Sequence, residues 1–310
     1  FAINQYGEKI AHMFLINYSQ KLWGLPASEL STQISGNRLK GLDIKSLIFE
    51  LFNMNQYRSS HLDGTFYYPL YGIGTIFENM KEEIGSEQFF LKNKITSIAH
   101  NKNLITSIDI NNQQSKNINY LVSSLPINVI IRLLTPKAPK KIIDLADSIQ
   151  YRELILVVFT IDKKNINKNG SMYFPSKDYI FTRIYEPKNR SSKMSPKNQT
   201  SLVVEIPCKK NDDIWLSDKE IIIDEVKNQL IEIGFFKNID IIDTTIQKIY
   251  NAYPILECDY IKKINYLNAY LSKFKNLIIN GRSGKFKYEH IHDHIKEGES
   301  IVSKIKLKYN

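Results

Sequence analysis

The stretch from Asn276 to Gly298 constrains the fold more than any other, because its pattern predicts a strand, a glycine-arginine turn and a helix in immediate succession. Leu277–Ile279 is a short apolar run typical of a buried strand, and Gly281 ends it. Asp293 is a good N-cap type just before apolar residues at helical spacing. Glycines let backbone N–H groups approach a ligand, Arg282 offers a bidentate fork to phosphate, and a helix start favours negative charge. The unit therefore predicts a nucleotide site.

The same stretch resembles a known motif. The run Gly281-Arg282-Ser283-Gly284-x-Phe286-x-Tyr288, followed by Asp293 and a helix, is similar to the C-terminal flavin motif of the FAD-dependent amine oxidase and protoporphyrinogen oxidase superfamily, to which UDP-galactopyranose mutases are related. In that group the turn and helix start face the flavin's ribityl chain and N1/O2 edge. The resemblance implies FAD as cofactor, bound by Gly281, Arg282, Ser283, Gly284, Asp293, His294 and Ile295. Without it, a glycine turn that merely joins a strand to a surface helix is the alternative.

The N-terminal part carries two more motifs with the same resemblance. A helix is predicted to end in Lys21-x-Trp23-Gly24, and another is predicted around Ile44–Phe52. Tyr68-Pro69-x-x-Gly72-x-Gly74 resembles the superfamily's approach to a helix that borders the substrate cavity, which implies a substrate role for Tyr68. A proline-led helix start with packed aromatic residues explains this run equally well.

Three strand-like runs lie between Gln88 and Pro126, namely Phe89–Ile98, Leu104–Ile110 and Asn119–Leu125, and a tight hairpin joins the first two. By resemblance they form a βββ excursion of a FAD domain. Ile95 would then hold the adenine through its backbone, and the strand that ends at Ser124 and Leu125 would return to the parallel sheet. We expect Phe89–Pro126 and Lys275–Asn310 to pack together in one nucleotide-binding layer.

The pattern changes after Tyr151, where Leu154–Ile161 begins a series of runs that predicts an antiparallel sheet. This part resembles the superfamily's substrate domain. Arg183 is a candidate for binding an anionic substrate, although an arginine on such a strand is more often a surface or paired residue. We expect Arg183, Tyr185 and Tyr253 to point towards the same space as the Gly281–Gly284 turn.

The composition is that of a globular protein, with 43% hydrophobic residues and a net charge of +10. Such a charge is compatible with a nucleic-acid partner, but the lysines are spread along the chain and form no basic stripe with exposed aromatic residues. We therefore expect no nucleic-acid partner. No apolar run is long enough to span a membrane, and the expected compartment is the cytoplasm. Cys208 and Cys258 lack the spacing of a disulfide framework or zinc site.

The predicted fold class is α/β (α+β), a partial Rossmann-like FAD-binding domain with an inserted substrate domain of antiparallel sheet and helices. Residues 1–84 are assigned to the helical part of the substrate domain, 85–150 to the FAD domain, 151–265 to the substrate-binding sheet and helices, and 266–310 to the C-terminal FAD strand and helix. The superfamily's N-terminal Gly-x-Gly-x-x-Gly turn is absent from the sequence, which begins at Phe1. We interpret the chain as a fragment.

Three histidines alternate in Glu289-His290-Ile291-His292-Asp293-His294, which raises the alternative of a metal site. On a strand they would share one face. The expected passage from loop to helix makes them diverge instead, so no metal is predicted.

The predicted function is a FAD-dependent oxidoreductase that transfers a hydride from a small-molecule substrate to the flavin. A mutase in which reduced flavin acts as a nucleophile on a nucleotide sugar is the alternative, and a non-catalytic basic binding protein is the second. The substrate candidates are an anionic compound or a nucleotide sugar. The sequence specifies neither a catalytic base nor the oligomeric state.

Overall fold

The computed structural model describes residues 2–35 and 67–309 of the chain. The helix predicted around Ile44–Phe52 lies outside these residues. The chain divides into two units, the first formed by Phe1–Phe89 and Arg152–Tyr250 and the second by Phe90–Tyr151 and Asn251–Asn310. Each unit is built from two stretches that are far apart in sequence. The mixed helix and sheet content predicted from the sequence is confirmed.

The helices of the described residues are, in chain order, α1 Ala2–Tyr6, α2 Glu8–Ile10, α3 Asn17–Trp23, α4 Gly74–Ile84, α5 Ile127–Leu133, α6 Lys140–Asp147, α7 Asp213–Leu216, α8 Lys219–Glu232, α9 Tyr260–Leu271, α10 Arg282–Lys285 and α11 Ile291–Tyr309. A π-helical segment, Ala11–Ile16, joins α2 to α3. The strands are β1 Ile95–Asn101, β2 Leu104–Ile110, β3 Gln114–Asn117, β4 Leu121–Ser123, β5 Leu134–Thr135, β6 Tyr151–Ile161, β7 Met172–Tyr173, β8 Arg183–Tyr185, β9 Thr200–Cys208, β10 Ile241–Pro254 and β11 Leu277–Ile279.

The first unit is organised by a five-stranded sheet in the order β10-β6-β9-β8-β7. Strands β6 and β9 pair antiparallel over their whole length, and β8 pairs antiparallel with both β9 and β7. Helix α8 buries Ile222, Val226 and Leu230 in the same core as the inward residues of the sheet. This is the apolar stripe expected of a helix with one buried face.

The end of helix α3 is fixed by a buried arginine. Arg152 donates from Nε to the carbonyl of Leu22 at 3.0 Å and from Nη2 to that of Pro207 at 3.1 Å. Gly24 ends the helix, as predicted, with a φ of 69°. A Cβ atom at Gly24 would lie 2.7 Å from Cζ of Arg152, so both the backbone conformation and the close approach require glycine.

The second unit contains a four-stranded sheet in the order β3-β2-β1-β5. The predicted hairpin between β1 and β2 is confirmed, since Asn101 pairs with Leu104 across its loop. The predicted start of the first strand is wrong: β1 begins at Ile95, and Phe90 and Leu91 are exposed in the preceding segment. The third strand of this sheet is β3, whose polar residues carry no strand signal and which pairs with β2 through its backbone.

The predicted packing of the two distant segments of the second unit is confirmed. Strand β4 pairs in parallel with β11, in the register Leu121–Leu277 to Ser123–Ile279. The buried side chain of Asn276, just before β11, accepts a hydrogen bond from the Ile105 N–H at 2.8 Å and donates to the carbonyls of Ile105 and Asn119. One amide thereby joins β11 to β2 and to the segment before β4.

The two cysteines differ sharply in their surroundings, and we expect them to differ in reactivity. Burial raises the pKa of the Cys208 thiol to about 12, while nearby Arg152 opposes the shift. Cys258 is exposed. Iodoacetamide at pH 8 should therefore label Cys258 alone in the native protein and both thiols in denaturant, because the thiolate is the nucleophile. Mass spectrometry of the peptides checks this, with Cys258→Ser as control. Rapid native labelling of Cys208 would contradict it.

Candidate functional site

The turn after β11 has a well-defined backbone. Gly281 adopts a φ of 74° and precedes the short helix α10, and Asn280 donates its N–H to the Ser123 carbonyl at 2.8 Å. The residue that follows the helix, Phe286, is buried between the rings of Tyr151 and Tyr260. Tyr151 also donates its hydroxyl to the Ser283 carbonyl at 2.8 Å. The turn is thus fixed at both ends by the protein itself.

The two glycines of the turn pack closely against the residues that follow β4. A Cβ atom at Gly281 would lie 3.0 Å from the Cβ of Ser124, and one at Gly284 would lie 3.1 Å from the Leu125 carbonyl oxygen. Four predicted cofactor residues are therefore brought together. Ser124 is the first residue that a side chain added at Gly281 would meet.

Arg282 is held between two aromatic rings. Its guanidinium carbon lies 4.8 Å from the ring centroid of Tyr253 and 4.1 Å from that of Tyr288. Its Nε and Nη2 atoms are buried and have no hydrogen-bond partner among the described residues. Both rings stabilise the cation, because the face of an aromatic ring attracts positive charge. Unpaired buried donors are costly, so the arrangement is suited to a ligand that brings acceptor oxygens.

Two residues of this site, Tyr288 and Tyr151, could not be assigned a separate role from the sequence. Tyr288 was visible only as part of the motif, with no separate role. Tyr151 gave no signal, since its contact with Ser283 spans 132 positions. Burial raises the pKa of its phenol, because the loss of water disfavours the charged phenolate.

The helix start differs from the prediction. Helix α11 begins at Ile291, and Asp293 lies in its first turn, where its carboxylate accepts the His290 N–H at 3.0 Å. This hydrogen bond, with smaller contributions from nearby cations, lowers the pKa of Asp293. The N-cap assignment of Asp293 is therefore wrong, because its side chain reaches back from the N3 position. Its contact with a cofactor, like that of His294 and Ile295, stays a prediction.

Ile95 and the turn belong to different sheets. Ile95 begins β1 of the four-stranded sheet, whereas the turn follows β11 of the two-stranded sheet. Its proposed adenine contact stays a prediction.

The predicted substrate residues of the first unit form a local cluster. Arg183 makes an ion pair with Glu205, in which its Nε lies 2.8 Å from Oε2, and the Tyr185 ring lies between the guanidinium groups of Arg183 and Arg190. Burial raises the pKa of Tyr185, and Glu205 adds to the shift. Tyr68 is half-buried. Glu205 neutralises the charge of Arg183, so an anionic substrate would have to compete with Glu205 for the guanidinium.

Arg183, Tyr185 and Tyr68 belong to the first unit, and Tyr253 belongs to the second. Tyr253 contacts Arg282 of the Gly281–Gly284 turn within the second unit, whereas the convergence of Arg183 and Tyr185 on that turn stays a prediction. Within residues 2–35 and 67–309, no helix combines the length and apolar character needed to cross a bilayer.

The expected passage from loop to helix predicts that the three histidines diverge, but two of them lie together. The rings of His290 and His292 stack with centroids 5.7 Å apart and an interplanar angle of 13°. Only His294 is directed elsewhere, and its Nδ1 lies 3.7 Å from Oε2 of Glu289. The alternation ends between the second and third histidine because His292 and His294 both lie in helix α11, where residues two apart point to different sides, whereas His290 precedes the helix.

Comparison with known proteins identifies one matching family and several similar structures. A model of the family described as UDP-galactopyranose mutase matches residues 13–219. The structure is similar to that of a reduced UDP-galactopyranose mutase, with 19% identity and a TM-score of 0.76 over 92% of this chain and 61% of that one. It is also similar to a protoporphyrinogen oxidase-like protein from Exiguobacterium sp. 255-15, with 12% identity and a TM-score of 0.70 over 97% of this chain and 65% of that one.

A more distant match is a putrescine oxidase variant, with 12% identity and a TM-score of 0.57 over 77% of this chain and 53% of that one. No curated protein sequence matches the chain. The chain spans less than two thirds of the length of the reduced UDP-galactopyranose mutase and of the protoporphyrinogen oxidase-like protein. UDP-galactopyranose mutases and amine oxidases are FAD-dependent enzymes, so the predicted superfamily is confirmed.

Proposed function

The chain belongs to the UDP-galactopyranose mutase family, and from this premise we propose that it binds FAD and a nucleotide sugar as part of a flavoenzyme mutase. The family match extends over residues 13–219 and so includes the helices before the sheet and most of the sheet itself. The sequence-level alternative, a mutase, is thereby favoured over the first choice of an oxidoreductase that takes a hydride from its substrate.

The observation that carries the proposal is the environment of Arg282. The guanidinium is held between Tyr253 and Tyr288, and its buried Nε and Nη2 atoms find no acceptor in residues 2–35 and 67–309. FAD and a nucleotide sugar both carry a diphosphate and ring carbonyls, which supply acceptor oxygens. A charge-assisted hydrogen bond is the strongest interaction that such a fork can make.

The residues of the turn fit FAD. Gly281 and Gly284 let the backbone of the turn pack closely against Ser124 and Leu125, which carry part of the predicted FAD site. Arg282 would hold acceptor oxygens, and Tyr151 keeps the turn in place through Ser283. A reduced flavin bound here would supply the electron pair that displaces the nucleoside diphosphate from the sugar, and because the diphosphate returns when the product forms, there would be no net redox change.

Hydride transfer is the second candidate function. It is favoured by the fold shared with the protoporphyrinogen oxidase-like protein and with the putrescine oxidase. The two functions use the same cofactor and differ in what happens to its electrons. They are separated by an experiment in which the chain is supplied with FAD, reduced with dithionite under argon, and offered UDP-galactopyranose.

A mutase converts the sugar while the flavin stays reduced, and this is the expected result. Reoxidation that requires oxygen, together with oxidation of an added amine after the flavin is oxidised, would favour the oxidoreductase instead. Absence of flavin binding together with RNA binding that weakens steeply with salt would favour the basic binding protein over both.

Replacing Arg282 by alanine should weaken FAD binding about 10- to 100-fold, since the loss of a charge-assisted fork costs about 1.5–3 kcal/mol. Quenching of flavin fluorescence measures the dissociation constant. Arg282→Lys should recover little, because an ammonium keeps the charge and loses the planar fork.

The matched control for this substitution is Arg132→Ala. Arg132 lies in the same unit, and its guanidinium is paired with Asp147 on the surface, where both side chains are about half exposed. The control should bind FAD like the unchanged protein. Equal dissociation constants for Arg282→Ala and Arg132→Ala would show that Arg282 does not hold the cofactor.

A further inference from the structure

We propose that Glu289, His294 and Glu297 form a binding site for a divalent transition-metal ion. Glu289 precedes helix α11, and His294 and Glu297 lie on the first turns of that helix. Residues three apart share one face of a helix, so the imidazole and the second carboxylate are neighbours. Each residue offers one ligand atom, and these atoms lie within 4.8 Å of one another.

The three side chains each leave a ligand atom unused. Oε2 of Glu289, Nδ1 of His294 and Oε2 of Glu297 are buried and lack a hydrogen-bond partner in the described part of the chain. Three such atoms in one cluster are costly, because none of them makes a hydrogen bond that replaces its lost contact with water. A cation at their centre would satisfy all three at once.

The charge of the cluster also favours a cation. Lys285 Nζ lies 3.3 Å from Oε1 of Glu289 and 2.7 Å from Oε1 of Glu297. The lysine thus holds one oxygen of each carboxylate and leaves the other oxygen towards His294. One ammonium and two carboxylates sum to one negative charge, which a divalent ion more than compensates. Lys285 in turn orients both carboxylates, as outer residues do around metal sites.

The donor set selects the class of metal. One imidazole nitrogen and two carboxylate oxygens suit zinc or manganese better than magnesium or calcium, which prefer oxygen alone. In a tetrahedral zinc site with bonds of about 2.1 Å, ligand atoms are about 3.4 Å apart. His294 Nδ1 and Glu289 Oε2 are already 3.7 Å apart. Three protein ligands leave a fourth position for water.

The test is zinc binding to the whole chain after it has been stripped with EDTA and dialysed. Isothermal titration with ZnCl2 should show one site per chain. His294→Ala and Glu297→Gln should each weaken that site by more than the about 10- to 100-fold that outer-shell changes cost. His292→Ala is the matched control, because His292 is 70% exposed and stacks on His290 outside the cluster. The control should bind zinc unchanged.

Folding is checked by circular dichroism and melting in EDTA, and Glu297→Gln preserves the shape of the side chain if His294→Ala is unstable. Cobalt substitution adds a second readout, since its visible absorption bands report the ligand set. Three results would overturn the proposal: no stoichiometric zinc binding by the unchanged chain, equal affinity in Glu297→Gln, or a larger loss in His292→Ala than in His294→Ala. The last would place the metal on the stacked pair.

Discussion

Replacing Asn276 by alanine should lower the free energy of unfolding of the second unit by about 2–5 kcal/mol, a large part of the stability of an ordinary domain. The side chain is buried and satisfies both the N–H and the carbonyl of Ile105, and it donates to Asn119 as well. Without it, two backbone groups of a buried strand residue have no partner. Urea unfolding followed by circular dichroism measures the change.

Hydrogen exchange locates this effect and provides its control. Amide protection should fall in β2, β4 and β11, the segments that Asn276 joins. Asn276→Asp should be almost as damaging, since it keeps the acceptor, loses both donated bonds and buries a charge. Asn101→Ala, at an exposed position of the β1–β2 hairpin, should change stability by less than about 0.5 kcal/mol. An Asn276→Ala protein as stable as Asn101→Ala would refute the assigned role.

Replacing Arg152 by alanine should destabilise the first unit by about 3 kcal/mol or more, because hydrogen bonds from a buried charged group are worth about 1.5–3 kcal/mol each. The guanidinium bonds the carbonyls of Leu22 and Pro207, and Asp212 lies 3.7 Å from its Nη1. Burial lowers the pKa of Arg152, while Asp212 opposes that shift. Loss of the side chain leaves the end of helix α3 without its anchor on β9. The midpoint of urea unfolding is the measurement.

Arg132→Ala is the matched comparison, because it also removes an arginine that forms an ion pair. Arg132 and its partner Asp147 are both about half exposed, so the replacement should lower the free energy of unfolding by at most about 1 kcal/mol. Arg152→Lys should not restore stability, since one ammonium cannot reach carbonyls on two elements as a fork does. Equal losses for Arg152→Ala and Arg132→Ala would contradict the importance of burial.

Much of the candidate site could be predicted from local sequence. The apolar run Leu277–Ile279, the glycine after it and the helical spacing beyond it are short-range patterns, and the structure contains the strand, the turn with positive φ and the helix. The exact helix start could not be predicted in this way, because Asp293 is equally suited to the N-cap position and to reaching back from N3. Strand β3 could not be predicted, because its residues are polar and it pairs with β2 through its backbone.

The sequence by itself determined many of the local elements, the family and the presence of an arginine between two glycines at a strand end. Tertiary structure decided what surrounds them. That β4 lies beside β11, that Tyr253 and Tyr288 flank Arg282, and that Glu289, His294 and Glu297 share a space with Lys285 are facts of packing. Periodicity reports which face of an element is buried, but not which partner covers it, since partners outside the element are selected by shape and hydrogen bonding in the folded chain.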